Sequence, residues 1–279
     1  MRHIEAQAVT EAVKAAVVKA NYELGEDVIQ SFEKARIDEE SPVGREILER
    51  LIENARIART ERIPICQDTG LVVVFADVGQ EVVVSNGGFA EAVEQGVRDG
   101  YEEGYLRKSV CHPFTRKNTG DNTPVIIHFN LVKGSGIRMW VVPKGGGSEN
   151  MSRLFMLPPS AGWTGVKEKI VLTVEEAGPN PCPPTIVGVG IGGNFEQSAL
   201  MAKRSLLRPL GEPNPDDELA RMEQEVLEAI NRTGVGPQGL GGRITSLAVH
   251  ILMMPCHIAS LPLAVNIQCH ASRHLEVTL

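Results

Sequence analysis

Between Leu51 and Phe75 the chain changes character twice within a short span. Leu51, Ile52 and Ala55 stand among charged residues at helical spacing, whereas Leu71-Val72-Val73-Val74-Phe75 is an unbroken apolar run, the signature of a buried strand. A helix feeding a buried strand demands an architecture that mixes the two. The junction, Pro64-Ile65-Cys66-Gln67-Asp68-Thr69-Gly70, sets a thiol, an amide, a carboxylate and a hydroxyl on consecutive residues before a glycine releases the backbone. Such side chains are poor core material, and loops held by rigid elements tend to carry chemistry. A turn around a buried free cysteine fits the same residues.

The remaining pattern is α+β (mixed α/β), without strict alternation. Residues 4–60 read as three helices, the second over Glu26–Asp38 and the third opening with Ser41 as N-cap and Pro42 at the first helical position. Strands are expected at Leu71–Val78, Glu81–Ser85, Val125–Val132, Ile137–Val142, Thr185–Ile191, Ile244–Leu252 and Leu263–Gln268. Helices are expected over 88–105, 165–176 and 218–231, and from Asn194, where Gln197 completes a capping box. Nothing forces a domain cut, so residues 1–279 are expected to form one domain.

Composition narrows the function. A net charge of −7, with no run of Lys and Arg, leaves no basic face for a phosphate backbone. No apolar stretch reaches membrane-spanning length and the N-terminus lacks a signal-peptide core, which points to the cytoplasm. Five cysteines without a C-x-x-C pair are neither a disulfide framework nor a zinc knuckle.

Cys66, Cys182 and Cys269 share a setting: each sits in or beside a proline-rich or polar turn. Three thiolates meeting in the fold suit a cubane cluster with one iron left open to act as a Lewis acid, and three buried free thiols suit the same spacing. Gly145-Gly146-Gly147-Ser148 after a strand has the form of an anion nest or of a flexible turn. Gly188-Val189-Gly190-Ile191-Gly192-Gly193 matches the dinucleotide fingerprint, but no second strand ending in an acidic residue follows at the right distance; glycines for close helix–strand packing fit better. His257 stands amid apolar residues, by default a hydrogen-bonded core histidine; beside Asp68 it would make a proton-transfer couple. Arg107 and Arg273 suit either a carboxylate grip or the surface.

Together, Cys66-Gln67-Asp68-Thr69-Gly70, Gly104-Tyr105-Leu106-Arg107, Asn118-Thr119-Gly120 with Asn122 and Pro124, Lys144-Gly145-Gly146-Gly147-Ser148, Ala177 through Pro184, Gly236-Pro237-Gln238-Gly239-Leu240 and Cys269 with Arg273 resemble the α subunit of class I, iron–sulfur fumarases and the related L(+)-tartrate dehydratases. The likeness runs in order from about residue 40 to the end. It implies β-sheets surrounded by helices, as in the N-terminal catalytic domain of those enzymes, with an all-helical N-terminal region.

The resemblance further implies a hydro-lyase of the fumarate–malate step of the tricarboxylic acid cycle, with a 4Fe-4S cluster on Cys66, Cys182 and Cys269. Gln67, Asp68, Arg107, Gly146, Gly147 and Arg273 map to substrate-binding positions, and Asp68 with His257 to proton transfer. Cys111 and Cys256 would be structural. Single-chain members continue into a swivelling β/β/α domain, whereas this sequence ends soon after Cys269. The expectation is therefore a separate β subunit, an α–α homodimer and an α2β2 assembly acting on a C4 dicarboxylate. Tartrate dehydratase, or a cluster-binding scaffold without turnover, is the alternative.

Overall fold

The computed structural model describes all 279 residues. Apolar positions sort them into two units, each a four-stranded mixed sheet under helices. The first comprises residues 1–24, 55–146 and 273–279, the second residues 25–54 and 147–272.

In the first unit, β1 (Arg2–Glu5) pairs in parallel with β3 (Val82–Ser85) and leads into α1 (Ala6–Tyr22). The main sheet runs β10 (Leu275–Thr278), β5 (Ile137–Lys144), β2 (Leu71–Gly79), β4 (Ile126–Val132). β2 lies parallel to β4 and antiparallel to β5. Val9, Val13, Ala16 and Val17 of α1 pack with Val93, Val97 and Tyr101 of α4 (Phe89–Glu103) over Val72, Val74 and Ala76 of β2. Val72 and Val74 come from the apolar run visible in the sequence. α3 (Pro42–Glu61) starts at Ser41, whose Oγ accepts the Gly44 N–H at 3.2 Å.

In the second unit the order is β6 (Arg153–Leu157), β9 (Leu261–Gln268), β7 (Thr185–Gly193), β8 (Ser246–Cys256). α2 (Glu26–Asp38) belongs here, with α6 (Gly162–Ala177), α7 (Phe195–Ser205) and α8 (Asp217–Asn231). The short α5 (Gly146–Glu149) lies where the chain passes between units. The Asn194 side chain caps α7 by accepting the Gln197 N–H at 2.9 Å.

The glycine fingerprint resolves as packing. A Cβ at Gly188 would stand 2.1 Å from the Ala202 carbonyl and one at Gly190 2.0 Å from that of Ser198, so only glycine lets α7 lie this close to β7. Strands β6, β10 and β1 were not expected. β1 means that a short strand precedes the N-terminal helices. No helix is long and apolar enough to cross a membrane.

Candidate active site

After α3 the chain turns back toward β2, and main-chain groups from several elements hold it. The Ile65 N–H donates to the Asn21 carbonyl at 2.9 Å, at the end of α1. At the turn's centre, each carboxylate oxygen of Asp68 accepts one main-chain N–H: Oδ1 from Gly70 at 3.0 Å and Oδ2 from Gly146 at 2.8 Å. Of the triple glycine, Gly146 gives its N–H to a protein carboxylate. Gly70 has φ +75°, and a Cβ there would lie 2.5 Å from the Lys144 carbonyl. That glycine lets the turn close on β5.

Below the turn lies a buried polar layer. Arg273, 3% exposed, donates through Nη2 to the Asp68 carbonyl and through Nη1 to Asn21 Oδ1 at 3.0 Å. The Tyr101 hydroxyl is shared between the carbonyls of Thr69 (2.7 Å) and Gly70 (3.1 Å), and Asn122 Nδ2 donates to the latter at 3.2 Å. Burial pushes the Tyr101 phenol well above its ordinary pKa against the pull of Arg273, so it stays a proton donor. Thr69 Oγ1 donates to the Arg107 carbonyl at 2.7 Å, tying in the segment whose Arg107 side chain is exposed. Gln67 is exposed, and Cys66 is half-buried with its Sγ 3.4 Å from the Asp68 N–H.

In the second unit, Cys182 is exposed with φ +56°, in a turn between α6 and β7, and Cys269 directly follows β9. The two turns adjoin: the His270 main-chain N–H and ring Nδ1 both reach the Cys182 carbonyl, at 3.3 and 3.0 Å. Gly147 lies within the short helix α5, fixed at its end by Glu149, which pairs with Lys203 and accepts from Asn266 Nδ2 at 3.0 Å.

His257 is not a core histidine. It is exposed on the turn after β8, its Nδ1 accepting the Ala259 N–H at 3.1 Å. The apolar residues that made it look buried, Leu252, Met253, Met254 and Ile258, are themselves exposed at the end of the sheet's outer strand.

The sites foreseen in sequence therefore divide by unit. Cys66, Gln67, Asp68, Arg107, Gly146 and Arg273 lie in the first, and Gly147, Cys182, His257 and Cys269 in the second. No three His, Cys, Asp or Glu side chains converge as a single metal ion would need. Asn21, Tyr101 and His270 escaped the sequence reading. Their one signal there is a polar group interrupting or closing an apolar run.

The profile of the fumarate hydratase (Fumerase) family matches residues 10–278. The chain belongs to the fumarate hydratase family. It is 44% identical over 256 residues to a Methanocaldococcus jannaschii protein provisionally named L(+)-tartrate dehydratase subunit alpha, covering 90% of each chain. It is 30% identical over 268 residues to the L(+)-tartrate dehydratase subunit alpha of Escherichia coli K12, covering 95% of this chain and 88% of that one. Fumarate hydratase family membership makes the chain a hydro-lyase component. Its relatives are named for tartrate and its family for fumarate.

Proposed function

We propose that this chain is the α subunit of a two-subunit fumarate hydratase that interconverts fumarate and (S)-malate. The observation that carries the reading is Asp68, an ionisable group fixed through both oxygens by amides yet still half-exposed. A group so held is oriented before substrate arrives and needs little reorganisation during proton transfer.

A 4Fe-4S cluster on Cys66, Cys182 and Cys269 is part of the proposal. The donor set fits: all three are thiols outside any disulfide, and the turns of Cys182 and Cys269 are hydrogen-bonded to each other. When bound, the cluster supplies an open iron as Lewis acid for substrate oxygens. Asp68 with His257 then handles the proton of the leaving or entering water. Arg107 and Gln67, both exposed, pair with substrate carboxylate and hydroxyl groups. Gly146, whose N–H bonds Asp68, and Gly147 bind substrate through their main chain, and Arg273 adds its positive charge from beneath Asp68. In this reading residues 1–279 are one catalytic domain, and cysteines outside any disulfide suit a reducing cytoplasm.

The relatives' names as α subunits support a β subunit, which in this proposal completes the site; an α2β2 assembly built on an α–α dimer is a further part of the proposal. They also favour a second reading, in which the substrate is L(+)-tartrate. The anaerobically reconstituted chain, assayed with and without its partner on both substrates, tests the proposal. Fumarate hydration only in the complex is expected. Full activity of the α chain alone removes the β subunit from the proposal, and turnover of tartrate alone selects the second reading.

A further inference from the structure

Two residues beside the cysteine turns have no role in the reaction as proposed. Gln238 lies in the glycine-rich segment between α8 and β8. Its main-chain N–H and its Nε2 both donate to the Pro183 carbonyl, at 2.9 and 2.7 Å. His270 follows Cys269 and holds the Cys182 carbonyl through main-chain N–H and ring Nδ1. A carbonyl only accepts, so Nδ1 carries the imidazole proton. Gln238 Nε2, 3.3 Å from that Nδ1, therefore serves Pro183 instead. The Phe32 ring of α2, fully buried, flanks the imidazole at 6.4 Å between centroids.

The backbone here is unusual as well as crowded. Cys182 and Gln238 both have left-handed φ, +56° and +53°, although neither is glycine. Such conformations cost on the order of 1–2 kcal/mol each and persist where surrounding bonds over-determine them. Beside Gln238, a Cβ at Gly239 would stand 2.4 Å from that of Pro179, so the glycine-rich segment presses directly on the Cys182 turn. Three segments far apart in sequence are thus tied at two successive carbonyls, those of Cys182 and Pro183.

We propose that Gln238 and His270 are positioning residues, a clamp that fixes the Cys182 and Cys269 turns relative to each other so that both thiols meet an iron–sulfur cluster in a preset arrangement. The proposal rests on the assignment of Cys182 and Cys269 as cluster ligands. Hydrogen-bonded partners behind metal ligands typically tune affinity about 10- to 100-fold. Here they act through the main chain of one ligand residue, not through its sulfur.

The full chain, reconstituted anaerobically with iron and sulfide, tests this through iron per chain, visible absorption and the rate of iron loss to a chelator, with thermal unfolding as the folding control. His270→Asn keeps an N–H at the position of Nδ1, and His270→Gln does not. Iron loss should stay close to wild type in His270→Asn and rise about 10- to 100-fold in His270→Gln, with a comparable rise in Gln238→Leu. Equal iron retention in His270→Asn and His270→Gln, or wild-type retention in Gln238→Leu, overturns the clamp. Wild-type retention in Cys182→Ser and Cys269→Ser would instead remove the ligand assignment beneath it.

Discussion

Among the carboxylates held by main-chain amides, Glu39 and Asp68 differ most in what surrounds them. Glu39, between α2 and α3 in the second unit, is fully buried. Its Oε1 accepts the N–H groups of Ser41 and Arg243 at 2.8 and 2.9 Å, and its Oε2 that of Ile244 at 2.8 Å. A Cβ at Gly44 or Gly242 would come within 2.8 Å of its side chain, so nothing larger than glycine fits on those sides. Asp68 has one amide per oxygen, stays half-exposed, and has its cation, Arg273, on its main-chain carbonyl instead of its carboxylate. The contrast lies in what is left over. Glu39 spends its oxygens on holding the 242–244 segment to the head of α3, whereas Asp68 is oriented by its bonds and stays partly exposed.

The largest effect should separate these roles outright. Asp68→Asn removes a proton acceptor while keeping the shape, and kcat should fall about 10²–10⁴-fold. One amide hydrogen bond is lost with it, about 1 kcal/mol of stability. A kcat near wild type in the reconstituted complex would show that Asp68 is a second Glu39, a structural anchor and nothing more.

Glu39→Gln should behave in the reverse sense. A glutamine NH2 must face one of the three N–H donors, leaving it unpaired, at a cost of about 1–3 kcal/mol in urea unfolding at neutral pH. The kcat of the folded enzyme should not change. Burial pushes the Glu39 carboxyl up, but the N–H groups of Ser41, Arg243 and Ile244 together outweigh it, and its pKa in the fold lies below the ordinary value. Its stabilisation is therefore complete above the unfolded carboxyl range and is lost as pH falls through the lowered folded value. The stability gap between wild type and Glu39→Gln should be present at pH 7 and shrink in acid. A pH-independent gap would mean that packing, and not the charge, holds the segment.

The difference between the two carboxylates was only half legible in the sequence. Cys66-Gln67-Asp68-Thr69-Gly70 announces itself because reactive groups crowd a helix-to-strand junction. Glu39 lies in Asp38-Glu39-Glu40, where neighbouring acids give every appearance of a solvated helix end. Local patterns were readable where the cause is local, as at the Ser41 and Asn194 caps and in α2. The glycines of β7 were legible as packing because the acidic strand end that a dinucleotide needs is missing. His257 misled because apolar neighbours on an outer strand look like core when the strand order is unknown. Arg273 and Asn21 are 252 positions apart and meet only in the fold. No spacing rule reaches across that distance.

Tyr101 gives the smallest and most discriminating effect, because it supports the Asp68 turn without touching the carboxylate. Tyr101→Phe keeps the buried ring in place and removes only the hydroxyl shared by the Thr69 and Gly70 carbonyls. Those carbonyls retain other donors in part, since Asn122 also bonds Gly70, so the loss should be about 1 kcal/mol of stability. If the orientation of Asp68 matters, kcat should fall by more than that loosening alone suggests, with little change in KM, because the turn would sample misaligned positions. Glu39→Gln offers the control: of comparable or greater cost to stability, it should leave kcat alone. Should both substitutions leave kcat untouched, the amide bonds at Gly70 and Gly146 would be sufficient to hold Asp68, and the buried layer beneath it would serve the fold alone.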